Sequence, residues 1–76
     1  MKDKNIEFYK KLGKNIRKLR KNKNLSQEEL AFMISGARNY IGCIERAEKK
    51  PSLDYLLDIK NALNCKFSDL FNFDER

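Results

Sequence analysis

Valine and threonine are absent from this 76-residue sequence, which leaves isoleucine as its only β-branched residue type. Strands draw on β-branched and aromatic side chains that fit a pleated, half-buried surface, so this chain has little from which to build a sheet. The expectation is an all-α fold. Length sets a second bound, because a chain of this size hides only about 60% of its unfolded surface, which supports one core and one domain over 1–76. Histidine is missing as well. That removes the imidazole general base, the Ser-His and Cys-His nucleophile pairs and the histidine metal ligand. Neither an enzyme nor a metal or other cofactor is expected, and no small-molecule ligand is evident.

Cys43 and Cys65 stand 22 positions apart, which fits neither a close-spaced zinc pair nor a redox Cys-x-x-Cys motif. They read as free thiols. Met1-Lys2-Asp3-Lys4 leads into no apolar run, and no apolar stretch approaches the roughly 20 residues of a membrane span. The expectation is a soluble cytoplasmic protein with no membrane partner.

The formal net charge is +6, and it is unevenly spread: residues 1–23 hold ten Lys and Arg against two acids, whereas residues 24–76 hold seven against nine. The first segment therefore carries +8 and the remainder −2. Clustered positive charge points to an anionic partner. Within that segment Phe8, Leu12, Ile16 and Leu19 recur at spacings of four, four and three, the apolar stripe of a helix over 6–22 whose other faces are basic. Asn5 is its expected N-cap, and Asn22-Lys23-Asn24 its stop.

Ser26-Gln27-Glu28-Glu29 is a capping box that opens a second helix with Leu30, Ala31 and Ile34 inward. Ser35-Gly36 breaks the pattern, and 37–46 resumes it with Ile41 and Ile44 inward. Pro51-Ser52 starts a fourth helix, where Leu53, Leu56, Leu57, Ile59, Ala62 and Leu63 are expected to form a wide buried face. A last short helix is expected near 67–71. Two short helices around a tight turn, backed by three others, make a five-helix bundle containing a helix-turn-helix.

The run Leu25-Ser26-Gln27-Glu28-Glu29-Leu30-Ala31, then Ile34, Ile41, Ile44-Glu45, Pro51-Ser52-Leu53 and Leu56-Leu57, resembles the helix-turn-helix family of phage repressors and Cro-like (xenobiotic response element type) regulators. Leu12-Gly13-Lys14-Asn15-Ile16-Arg17-Lys18-Leu19-Arg20 and Phe67-Ser68-Asp69-Leu70-Phe71 extend the likeness, which spans about 12–71. Arg38, Tyr40-Ile41 and Ile44-Glu45-Arg46 are similar to the controller proteins of restriction-modification operons. The resemblance implies a lambda repressor-like DNA-binding domain and a homodimeric repressor or operon autoregulator on a palindromic double-stranded operator. Its alternative is a protein-interaction module of the same fold, such as an antitoxin or immunity-type partner.

The resemblance also assigns roles. It lays the third helix in the major groove, where Arg38 and Asn39 suit guanine and adenine edges, Tyr40 offers a ring or a hydroxyl, and Cys43 a small apolar surface. It implies phosphate contacts from Ser26, Gln27, Arg17, Lys14, Arg46, Lys49 and Lys50, which set register and affinity. Gln27 is further expected to brace the side chains of the third helix. Arg20 and Glu45 are implied as a partly buried ion pair that orients helices one and three. Phe67, Leu70, Phe71 and Phe73 exceed what a short closing helix needs and are candidate dimer-interface residues. Phe32 falls where relatives carry a polar residue, either as a contact for a partner or folded back on the first helix. The chain departs from the family pattern at Ser35-Gly36, where Gly then an apolar residue is usual, at Ala37, where a Ser or Thr cap is usual, and at Arg46-Ala47-Glu48 in place of Asn-Gly-Lys.

Overall fold

The computed structural model describes residues 4–36 and 38–73, with Arg38 described by its backbone alone. Among these residues the chain forms four α-helices, α1 (Ile6–Asn22), α2 (Gln27–Met33), α3 (Arg38–Glu45) and α4 (Leu53–Leu63), and a closing 3-10 helix (Phe67–Phe71). The expected fifth α-helix is therefore a 3-10 turn. Its five residues are too few to repeat α-helical bonding, and its amides close i to i−3 bonds instead, Asp69 N to Lys66 O at 2.9 Å and Asn72 N to Asp69 O at 3.4 Å.

Serine caps start two of the helices. Ser26 Oγ accepts from Glu29 N at 3.0 Å while the Glu29 carboxylate accepts from Ser26 N at 2.8 Å, which completes the box before α2. Ser52 Oγ accepts from Tyr55 N at 3.1 Å at the head of α4. Asn5 stands at the N-cap position of α1, but its side chain makes no cap hydrogen bond. The expectation that α3 starts without a side-chain cap falls on Ala37, which lies outside the described residues.

All four α-helices end by the same device. A residue in the left-handed region follows the last turn, namely Asn24, Ser35, Ala47 and Asn64 at φ of 60°, 56°, 61° and 55°. The next amide then bonds back five residues: Leu25 N to Arg20 O at 3.2 Å, Gly36 N to Ala31 O at 2.8 Å, Glu48 N to Cys43 O at 2.7 Å and Cys65 N to Lys60 O at 3.1 Å. These are Schellman ends, and none uses glycine at the left-handed position.

Leu12, Ile16, Leu30, Ala31, Ile41, Ile44, Leu56, Ile59, Leu63 and Leu70 fill the core. The buried face of α4 is narrower than expected, since Leu53 and Leu57 are exposed at 63% and 37%. α4 packs on α2 and on the 3-10 turn, where Leu56, Ile59 and Leu63 are buried and Ala62 is half-buried. Phe32 does not fold back on α1; it is 84% exposed.

Two small or polar residues of α1 set how closely its neighbours approach. Gly13 lies under the end of α3, where a Cβ would stand 2.5 Å from Ile44 O and 2.6 Å from Glu45 O. Asn15, buried, donates through Nδ2 to Asp69 O at 2.8 Å and Leu70 O at 2.7 Å, tying α1 to the 3-10 turn.

Candidate nucleic-acid interface

α3 turns Ile41 and Ile44 into the core. Asn39 is exposed. Tyr40 is half-buried, its ring edge-on to Tyr55 with centroids 4.7 Å apart at 80°. Cys43 is half-buried and Gly42 buried. The Arg38 side chain lies outside the described structure, although its backbone forms the first residue of α3.

The orientation of α3 is held by a compact polar network. Glu45 and Arg20 side chains are exposed by only 2% and 7%, with Arg20 Nε donating to Glu45 Oε2 at 2.7 Å and Nη2 donating to Oε1 at 3.1 Å. Arg20 Nη1 donates to Leu25 O at 2.7 Å, and Gln27 Nε2 donates to Glu45 Oε1 at 3.0 Å. Taking two charges out of water is costly, and here the cost is offset because both carboxylate oxygens and the guanidinium are hydrogen-bonded. Glu45 thereby joins α3 to α1 and α2, and Arg20 ties in the loop before α2. Gln27 braces the third helix through Glu45, at its buried end.

Other expected contacts are less free than the sequence implied. Arg46, just past α3, is exposed but occupied: its Nε and Nη2 donate to Glu48 Oε2 and Oε1 at 2.9 and 3.1 Å. That hydrogen bond holds the Glu48 carboxyl below the usual carboxylate range. Lys50 Nζ lies 5.4 Å from the centroid of the Tyr9 ring. Lys49, Arg17 and Ser26 are exposed, with the Ser26 hydroxyl oxygen engaged in the cap. Lys14 is exposed beside Lys11, Lys18, Asn72 and Phe73, a groove next to the C-terminal turn. Arg17, by contrast, is one turn beyond Gly13, on the side of α1 that meets α3.

The C-terminal aromatics are partly claimed within the chain. Leu70 is fully buried in the core, so it is not an interface side chain. Phe71 stacks on Phe8 at 6.1 Å, Phe73 meets Phe8 at 5.8 Å, and Phe67 meets Phe71 at 5.2 Å. Phe8, 41% exposed, joins this cluster rather than the core.

The residues that sequence reasoning missed are Gly13, Asn15, Glu48 and Tyr55. Asn15 had a legible signal, three after Leu12 and four before Leu19 on the inward stripe. Tyr55 explains the displaced glycine of the turn. A Cβ at position 36 would stand 2.8 Å from Tyr55 Oη, so Gly36 serves close packing while Ser35 adopts the left-handed conformation. Burial pushes the Tyr55 phenol and the Cys65 thiol above their ordinary pKa values.

Among the described residues no helix is long and apolar enough to cross a membrane. Residues 16–70 match the helix-turn-helix family model. Control protein C.BamHI of Bacillus amyloliquefaciens is 42% identical over 62 residues, covering 80% of this chain and 76% of its own length. Control protein C.SmaI of Serratia marcescens is 43% identical over 59 residues, covering 78% and 70%. Among solved structures, the restriction-modification controller protein C.AhdI from Aeromonas hydrophila superposes with a TM-score of 0.81 at 40% identity, over 83% of this chain and 96% of that one.

Proposed function

The chain belongs to the helix-turn-helix family of DNA-binding transcriptional regulators, and from that premise we propose a cytoplasmic, homodimeric regulator that reads a palindromic operator through α3. The observation that carries the reading is the buried Arg20–Glu45–Gln27 network, which fixes α3 against α1 and α2 while Asn39 on its outward side stays exposed. A rigidly presented helix fits the major groove, and an Asn amide in its first turn suits adenine N6 and N7. Arg38, one residue earlier, suits guanine O6 and N7. The basic segment supplies attraction to the phosphates without sequence preference.

Similarity to control proteins C.BamHI and C.SmaI and to the controller C.AhdI supports a role in governing a restriction-modification operon. Dimerisation follows from size: so small a domain makes few contacts alone, and two copies double them on half-sites about one helical turn apart. The half-buried Phe67, Phe71 and Phe73, with Phe8, are the apolar surface available to a second copy. Selecting bound sequences from random duplex DNA tests the reading. Enrichment of a palindrome is the expected result, and a pool that stays random through successive rounds contradicts it.

A further inference from the structure

Arg46 and Glu48 are two positions apart, a spacing that on a regular helix sends side chains in different directions. Ala47 between them is left-handed at φ 61°, and this residue turns the chain back so that Glu48 N reaches Cys43 O at 2.7 Å. The turn brings the Glu48 carboxylate round to the guanidinium. Nε and Nη2 of Arg46 meet its two oxygens at 2.9 and 3.1 Å, the same two-point geometry in which a guanidinium takes a phosphate. The pair lies along the exit of α3. Arg46 Nη2 also lies 3.9 Å from Cys43 Sγ, and a Cβ on Gly42 would come within 3.0 Å of Nη1.

Arg46 is thus laid back across the outward side of α3, with Gly42 leaving room for it. Both partners are exposed, so the pair is labile, worth no more than roughly fivefold in an equilibrium. A duplex phosphate competes for the same donors in the same geometry. We propose that Glu48 is an intramolecular competitor for the DNA backbone, holding the Arg46 guanidinium in the unbound protein so that a phosphate must displace a carboxylate before Arg46 engages. The proposal rests on the DNA-binding reading above. Because a phosphate contact carries no sequence information, Glu48 lowers affinity for all duplexes by a common factor.

The test is a double-mutant cycle of Glu48→Gln and Arg46→Ala, read by fluorescence anisotropy on a selected operator duplex and a scrambled one across a salt series. Melting curves confirm that the exposed substitutions leave the fold intact. Glu48→Gln is expected to tighten both duplexes by roughly two- to fivefold and to leave the log–log salt slope near that of the parent, because the same phosphates are contacted once Glu48 is displaced. In the Arg46→Ala background the same change is expected to leave affinity and slope unaltered. Equal tightening in both backgrounds would mean that Glu48 acts as an independent repelling charge, and overturns the proposal, as does no change in either. Those outcomes leave the DNA-binding reading standing. A parent protein that binds neither duplex overturns both.

Discussion

Replacing Glu45 by Ala leaves Arg20 buried without its counter-charge and Gln27 without its acceptor. Breaking a buried pair from one side costs about 3–5 kcal/mol, so denaturant unfolding of Glu45→Ala is expected to show a loss of that order. The paired change Arg20→Met with Glu45→Leu removes both charges and is expected to unfold far closer to the parent protein. If the double variant is as unstable as the single one, the pair is not self-compensating and the network has been misjudged. Gly13 acts by absence. A Cβ there meets carbonyl oxygens at 2.5 and 2.6 Å, so Gly13→Ala must push α1 from α3, and thermal melts are expected to show a loss of about 1–3 kcal/mol. The ion pair was legible in the sequence because both residues border apolar stripes in a motif that assigns them. Gly13 was not, since nothing local distinguishes a glycine facing another backbone from one facing water.

At the scale of the elements, starts were easier to read than stops. Ser26 and Ser52 signal their own capping chemistry, and the structure begins α2 and α4 one residue after them. The stops rest on left-handed residues, and Ser35 and Ala47 lack the glycine that usually marks such a position. At Ser35 the reason is tertiary, because the adjacent Gly36 is needed beneath Tyr55. Ala47 shows no such requirement, so Ala47→Gly relieves backbone strain and is expected to stabilise the protein by about 1 kcal/mol, raising the melting temperature. An unchanged or lowered midpoint would show that position 47 is unstrained. The closing element was expected near 67–71 as the fifth helix of the bundle and is a 3-10 turn, since five residues carry no full period to tell the two apart. The exposed Leu53 and Leu57 were misread for a related reason: an apolar pattern gives the width of a face, whereas its neighbours decide how much is covered.

For the whole molecule, the net charge of +6 resolves into a basic first segment and a faintly acidic remainder. The structure divides that segment further. Arg17 flanks the side of α1 toward α3, while Lys11, Lys14 and Lys18 line a groove beside Asn72 and Phe73. Positive charge is therefore spread around α1. With histidine absent from the chain, no imidazole titrates between about pH 6 and 8, and affinity for DNA is expected to stay flat across that range. Glu48 does not alter this: its carboxyl is held low by Arg46, so their pair persists above the ordinary carboxylate range and is lost only as pH falls through the lowered value. Tyr55 and Cys65, shifted upward, stay protonated there. A steep change of affinity near neutrality would reveal a titrating group outside this account.

We propose that α3 chooses sequence while the basic residues supply attraction. It is tested most directly by measuring, over a salt series, the affinity of the parent protein, Arg38→Ala and Lys14→Ala for a selected operator and for single-base variants of it. Affinity is expected to fall by about 0.9 log units per log unit of salt for each phosphate contact. Arg38→Ala is expected to lose preference at one base pair at a cost of about 1–3 kcal/mol, whereas Lys14→Ala weakens every duplex alike. Salt-independent affinity, or an Arg38→Ala protein that weakens uniformly with its base preferences intact, would contradict it.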